Sequence, residues 1–158
     1  MKLGFLISAC SLVVLISTFN VARAATESCP SLEGHYHCVH QNMVGEYNLT
    51  VTRTSLEAAD HFTFFNEHNH VKNEYTSDAQ TYNFIDNGFY VELVSTCKDN
   101  SLLANENALQ KDQDFRVIQN STFKLVDTGN LLIQVDYYSE FQGQDHSKGT
   151  YFVKCSRL

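Results

Sequence analysis

The chain has 158 residues, a formal net charge of −7 and a single proline. Its Lys and Arg residues are few and scattered, which argues against binding to nucleic acid or to an anionic membrane, because both need clustered positive charge. Cationic ligands and basic protein surfaces are compatible with this acidic balance.

The N-terminal segment has the composition of a secretory signal peptide. Lys2 is the only charge before an apolar run over residues 3–19, and residues 22–24, Ala-Arg-Ala, supply the small residues of a cleavage site. We predict a signal peptide over 1–24, a single disulfide-stabilised β domain over 25–158, and a secreted or periplasmic location. No later segment is apolar enough to span a bilayer, so we expect no membrane association after removal of the signal peptide.

The cysteines predict a disulfide framework. Cys10 lies in the predicted signal peptide, where lipidation of Cys10 is an alternative that we do not favour, because the apolar run continues beyond it. Cys29, Cys38, Cys97 and Cys155 are an even set in an exported chain, which predicts two disulfides. We expect Cys29–Cys38, which are close in sequence, and Cys97–Cys155, which would join a mid-chain strand to the last one. The spacing does not fit a zinc site.

Alternation of apolar and polar residues predicts an all-β fold. Tyr47, Leu49 and Val51 alternate with polar neighbours, which is the period of a half-buried strand. Similar runs occupy residues 33–39, 61–65, 71–76, 80–85, 89–96, 115–119, 122–126, 131–139 and 150–155. Short strands at near-regular spacing are typical of an antiparallel meander, here of about eight to ten strands with little helix.

Turn residues separate the predicted strands. Residues 86–88, Asp-Asn-Gly, and 127–130, Asp-Thr-Gly-Asn, contain the Asn and Gly residues that accept the positive φ angles of tight hairpins. Residues 142–149 predict a longer exposed loop. Residues 100–111 predict either one or two helical turns or a loop over a barrel mouth.

Many short strands rich in aromatic residues favour a closed or nearly closed small β-barrel, since closure removes unpaired strand edges. A barrel-like two-sheet sandwich is the alternative. The sequence Gly34-His35-Tyr36 is similar to the Gly-x-Trp opening of lipocalin-like (calycin) barrels, and the layout of a mid-chain and a C-terminal cysteine is similar to a lipocalin disulfide. This resemblance implies an apolar ligand in the barrel interior and no catalytic residues.

The histidines are the most conspicuous chemical feature. His35 and His37 share one face of a predicted strand, and His68 and His70 would also do so in an extended segment. On adjacent strands, these two pairs could present three or four imidazoles to one metal ion, zinc or copper. Solvent-facing strand positions explain the same pattern, and we favour that explanation.

Catalytic motifs are absent from the sequence, which has no Gly-x-Ser-x-Gly elbow, no His-Glu-x-x-His helix and no Gly-rich phosphate loop. We therefore predict an exported, non-catalytic binding module without catalytic residues. Its ligand would be a small apolar molecule inside the barrel or a protein partner on an exposed face. The alternative is a histidine-based metal-binding protein or hydrolase.

Overall fold

We describe the protein from a computed structural model that covers residues 28–41, 45–56, 58–127 and 129–158. The predicted signal peptide lies outside the described residues, as does Thr128 in the second predicted hairpin. Within the described ranges, no helix has the length and apolar character needed to cross a membrane.

Ten antiparallel strands form one sheet that curls into a nearly closed barrel, which confirms the predicted all-β class. The strands are β1 (Gly34–His40), β2 (Glu46–Ser55), β3 (Asp60–Asn66), β4 (Lys72–Thr76), β5 (Asp78–Asp86), β6 (Phe89–Lys98), β7 (Ser101–Gln110), β8 (Phe115–Val126), β9 (Asn130–Phe141) and β10 (Gln144–Arg157). A short 3₁₀ turn, Lys111–Gln113, separates β7 from β8.

The topology is a meander with one interruption. Consecutive strands pair with each other except for β4 and β5, which are the two edges of the sheet. The last strand returns to the first, so that Tyr36 lies opposite Arg157 and His40 lies opposite Val153. The barrel wall is therefore continuous from β4 through β1 and β10 to β5, and it is interrupted between β4 and β5.

Alternation along each strand places one face in the interior. On β2, Leu49 and Val51 are buried and Tyr47 is half-buried, as their spacing predicts. The predicted hairpin between β5 and β6 is confirmed as a two-residue turn, where Asn87 and Gly88 have φ angles of 47° and 84°. These are the positive φ values that an Asn-Gly turn accepts at low cost.

Two segments differ from their predicted structure. Residues 100–111 are neither helical turns nor a mouth loop, because 101–110 form β7, a strand that pairs on both sides with β6 and β8. Leu102, Ala104 and Ala108 are buried on its inner face. Residues 142–149 are not a long loop either, since only Gln142 and Gly143 separate β9 from β10. In both segments, pairing with neighbouring strands overrides weak local propensity.

The disulfides confirm the number of predicted crosslinks and correct their connectivity. Cys29 pairs with Cys97 and Cys38 with Cys155, not Cys29 with Cys38 and Cys97 with Cys155. Cys38 and Cys155 face each other on the paired strands β1 and β10, whereas Cys29 precedes β1 and reaches the end of β6. The loops span 68 and 117 residues, and the chain-entropy relation gives about 4 to 5 kcal/mol for each. Two intramolecular disulfides fit an oxidising environment.

Candidate functional site

One end of the barrel is closed by buried side chains. We call it the closed end: it contains the start of β1 and the ends of β2 and β4. Leu32, Tyr36 and Phe62 are fully buried there, and the Tyr36 hydroxyl donates a hydrogen bond to the Leu32 carbonyl oxygen at 2.9 Å. Arg53 Nη2 donates to Asp60 Oδ2 at 2.6 Å, and the guanidinium lies 5.7 Å from the centre of the Phe62 ring.

Three aromatic rings cross the middle of the barrel. The ring centre of Phe64 lies 4.5 Å from that of Phe123 and 5.5 Å from that of Tyr75, and Tyr75 and Phe123 are 5.2 Å apart. Because these residues come from β3, β4 and β8, their contacts pack opposite walls together. They form the floor of the space above them.

The opposite end, which we call the mouth, contains a cavity of about 220 Å³. It lies above the three rings and is lined by apolar, aromatic and amide side chains, among them His40, Tyr47, Gln119, Val135, Tyr151 and Val153. Such a mixture of apolar walls and a few polar groups is typical of sites for small molecules.

His40, which lines this cavity, carries a buried polar atom without a partner. His40 Nδ1 and Arg53 Nε are the two buried side-chain nitrogen or oxygen atoms that lack a hydrogen-bond partner among the described residues. The Arg53 guanidinium is already held by Asp60 through Nη2, whereas the imidazole of His40 makes no side-chain hydrogen bond to a described residue. A buried polar atom without a partner costs free energy, which a bound molecule with a suitable group would recover.

Two tyrosines flank the imidazole. The ring centres of Tyr47 and Tyr151 lie 5.7 Å and 6.0 Å from that of His40. Burial raises the pKa of both phenols above the usual value, so both hydroxyls stay protonated at neutral pH. Neither hydroxyl makes a hydrogen bond to a described residue, so the two rings beside His40 each carry a free donor.

A second opening lies at the interruption of the barrel wall. The two edge strands meet at Ser77, which alone connects Thr76 of β4 to Asp78 of β5, and diverge towards the mouth. Between them is a cleft of about 630 Å³, which we call the seam. Tyr75 lines both the seam and the mouth cavity, so β4 separates the two spaces.

The four histidines proposed as metal ligands do not form one group. His35 Nδ1 lies 2.9 Å from Thr50 Oγ1 and His37 Nδ1 lies 3.2 Å from Asn48 Oδ1, both on the outer face of β1 and β2. His68 and His70 lie exposed in the segment between β3 and β4. His37 and His68 border a shared shallow surface depression. Across the described ranges, no three His, Cys, Asp or Glu side chains are placed to hold a metal ion. The structure thus gives the metal hypothesis no support.

Sequence reasoning missed the residues that now stand out in the interior. His40 is not among the candidate residues of the sequence analysis, although it shares its strand face with Tyr36 and Cys38, both of which are buried. Strict period-2 alternation from Cys38 would have placed His40 inside. Glu106 lies on the inner face of β7, in a segment whose strand character was not predicted.

Comparison with known proteins does not assign a family. No protein-family model matches the chain, and no curated protein matches it significantly.

Proposed function

We propose that the protein is an exported, non-catalytic binding module that takes a small, largely apolar molecule into the mouth of its barrel. The observation that carries this proposal is the mouth cavity, whose lining residues include His40 with its buried, unpartnered Nδ1. A lipocalin-like role is compatible with this placement, since the ligand would occupy the barrel interior.

The size of the cavity limits the ligand. A cavity of about 150 Å³ lined by apolar side chains is large enough to bind benzene. The mouth cavity, at about 220 Å³, therefore suits one aromatic ring with a few additional atoms, or two fused rings. The aromatic floor of Phe64, Tyr75 and Phe123 offers edge and face contacts to such a ring.

The polar groups define the rest of the ligand. If the imidazole carries its proton on Nε2, then Nδ1 accepts a hydrogen bond from the ligand. The Tyr47 and Tyr151 hydroxyls can donate to an oxygen on the same ligand or accept from it. The preferred ligand is therefore a small planar molecule with one hydroxyl or N–H group, and phenol and indole are suitable probes.

Secretion or delivery to the periplasm is part of the proposal. It is supported by the two disulfides and by the signal-like composition of residues 1–24. Mass spectrometry of the protein purified from its native host would show an N-terminus at Ala25 or Thr26 and a mass four hydrogens below that of the reduced chain. An intact Met1 with four free thiols would contradict export.

Ligand binding is tested by titrating phenol, indole and toluene into the isotope-labelled protein and following its amide chemical shifts. We expect saturable shifts at His40, Tyr47 and Tyr151. A His40→Leu variant should weaken phenol binding by roughly 3- to 10-fold, the effect of one hydrogen bond. Its affinity for toluene, which has no polar group, should not fall.

His35→Leu is the matched control, because His35 lies on the same strand but on its outer face. It should leave the affinities for phenol, indole and toluene unchanged. Non-saturable shifts spread over the surface, or equal losses in His40→Leu and His35→Leu, would contradict the proposed site. Native mass spectrometry would also identify any small molecule that copurifies with the protein.

A further inference from the structure

The seam has two unpaired strand edges. β4 pairs only with β3, and β5 pairs only with β6, so each presents a free edge to the seam. The corner where they meet is held by the neighbouring strands: Ser77 N donates to the Asp60 carbonyl oxygen of β3 at 2.9 Å, and Ser95 Oγ of β6 donates to the Thr76 carbonyl oxygen at 2.8 Å. Beyond this corner, the described residues form no ladder between β4 and β5.

β5 is the most exposed strand of the barrel. It is the one strand of the ten without a buried residue, and Tyr82, Phe84 and Ile85 are 39%, 45% and 67% exposed. Phe84 lies opposite the buried Val91 of β6, so it shares the inner face of the sheet. An inner-face phenylalanine with this exposure lacks the opposite wall that buries Phe64 and Phe123.

Most of the free edge of β5 lacks the basic, proline and covering features that usually prevent strand addition. Natural proteins protect exposed edges with Lys, Pro or a covering segment. Residues 78–86, Asp-Ala-Gln-Thr-Tyr-Asn-Phe-Ile-Asp, contain no Lys, Arg or Pro. The irregular pairing near Ala79 is confined to the start of the strand, and the register is regular from Thr81 to Asp86.

The seam contains carboxylates that have no cationic partner among the described residues. Its lysine, Lys72, is already bound to Glu74, with 2.6 Å between Nζ and Oε1. Asp86 and Glu106 also line the seam, and neither forms an ion pair with a described residue. Burial and the nearby Asp86 carboxylate raise the pKa of Glu106, which reflects an environment that lacks positive charge. A cation between these carboxylates would be favoured.

We propose that the seam binds an extended segment of a partner protein whose every second residue faces the inner side of the sheet, and that apolar side chains at these positions are followed by basic ones. Tyr82, Phe84 and Asp86 lie on this side, as does Glu106 of β7, so the apolar and basic residues of the segment share one face. The segment adds to the free edge of β5 as an extra strand, its apolar side chains contact Tyr82 and Phe84, and its basic side chains approach Asp86 and Glu106. Main-chain hydrogen bonds give such strand addition its affinity, and alternate side chains give it specificity. This site is distinct from the ligand cavity of the proposed function.

The test uses a fluorescein-labelled synthetic peptide, Lys-Thr-Val-Thr-Val-Thr-Lys, which we call the Lys-Val peptide, and measures its anisotropy as the protein is added. Its Lys and Val residues lie on one face of an extended strand, in whichever direction the strand runs. Two further peptides separate charge from backbone pairing: the Glu-Val peptide, Glu-Thr-Val-Thr-Val-Thr-Glu, and the Lys-Val peptide N-methylated at alternate residues. We expect saturable binding of the Lys-Val peptide alone. Equal binding of the N-methylated peptide would overturn strand addition, and equal binding of the Glu-Val peptide would overturn the charge argument.

Substitutions of carboxylates inside and outside the seam test whether the peptide binds there. Asp86→Asn combined with Glu106→Gln keeps the shape of the seam and should weaken the Lys-Val peptide by about tenfold or more, since close charge pairs contribute strongly to specificity. Glu92→Gln is the control, because Glu92 is an exposed carboxylate of β6 that accepts a hydrogen bond from Asn107. Equal losses in the two proteins would overturn the placement in the seam. Circular dichroism verifies that each variant is folded.

A second copy of this chain is the competing occupant. Sedimentation velocity over a range of protein concentrations should show a monomer. A dimer that is dissociated by Ile85→Lys would show that β5 pairs with itself, and it would overturn the proposal of a different partner protein.

Discussion

The closed end and the seam are built from the same meander but bury their aromatic residues to different extents. Phe62, on β3, is fully buried against Arg53 and its neighbours, whereas Phe84, on β5, is 45% exposed. Both residues occupy the inner face of the sheet. The difference shows that alternation along a strand decides which way a side chain points, while burial also requires a wall on the opposite side of the barrel. β5 has no such wall.

The sharpest way to test this comparison is to truncate one phenylalanine in each region. Phe62→Ala should lower the free energy of unfolding by about 3 to 5 kcal/mol, because it leaves a cavity in a packed core. Phe84→Ala should lower it by less than about 1 kcal/mol, because its ring is already largely hydrated. Urea denaturation of the oxidised proteins measures both, and similar losses would show that the seam is packed in solution.

Charge distinguishes the two regions in a second way. Asp60→Asn at the closed end should lower the free energy of unfolding by about 2 to 3 kcal/mol at neutral pH, since it leaves the half-buried Arg53 with only the more distant carboxylate of Glu33, 3.9 Å from Nη1. The hydrogen bond from Arg53 lowers the pKa of Asp60. The ionised Asp60 carboxylate therefore stabilises the folded protein fully above the unfolded pKa of about 3.9, and this stabilisation is lost as the pH falls through the lower pKa of the folded state.

The loss of unfolding free energy caused by Asp60→Asn should therefore become smaller in acid. The measurement is chemical denaturation at a series of pH values, with the exposed Asp112→Asn as a control that should stay close to the unmodified protein. A deficit that persists unchanged at the lowest pH would argue that Asp60 acts through packing and not through its charge.

Glu106 at the seam should show the opposite pH dependence. The pKa of Glu106 is raised in the folded protein, so its carboxyl favours the folded state most when the pH is below the unfolded pKa. This contribution to stability is lost as the pH rises through the folded pKa. Glu106→Gln should therefore stabilise the protein at neutral pH and have no effect in acid. Thermal unfolding at both pH values measures this difference, and a destabilising effect at neutral pH would reveal a cationic partner for Glu106.

The smallest effect is expected on the outer face. His37→Ala should change stability by no more than about 0.5 kcal/mol, with or without added zinc, because His37 is partly exposed and lies outside any metal-holding group among the described residues. His146→Ala is the control. A zinc-dependent loss in His37→Ala alone, which weakens as the pH drops and imidazoles become protonated, would instead support a metal site.

Much of the fold is predictable because period-2 alternation is strong where β-branched and aromatic residues are abundant. Tyr47, Leu49 and Val51 predict both their strand and its buried face. The signal weakens over residues 101–110, where Leu, Ala, Asn and Glu favour helix or loop locally and only pairing with β6 and β8 makes the segment a strand. Glu106 was missed for that reason.

The disulfide connectivity and the mouth cavity depend on spatial relations that the sequence does not contain. Closeness in sequence favoured Cys29–Cys38, but Cys38 instead faces Cys155 because β1 and β10 are neighbours in the closed wall. The cavity likewise depends on side chains from seven strands. Among them, His40 could have been placed inside from the alternation of its own strand. The interruption at Ser77 has no comparable signature in the sequence.

The pairing of β1 with β10 has a consequence for the order of events during synthesis. Cys38 and its partner Cys155 are separated by 117 residues, so at about 5 to 20 residues per second the first strand is made roughly 6 to 23 s before the strand that completes its pairing. Until then β1 has only β2 beside it. Because the barrel cannot close before β10 is made, folding during synthesis would produce an intermediate in which one edge of β1 is unpaired. Translocation of the unfolded chain would prevent this intermediate from forming in the cytosol.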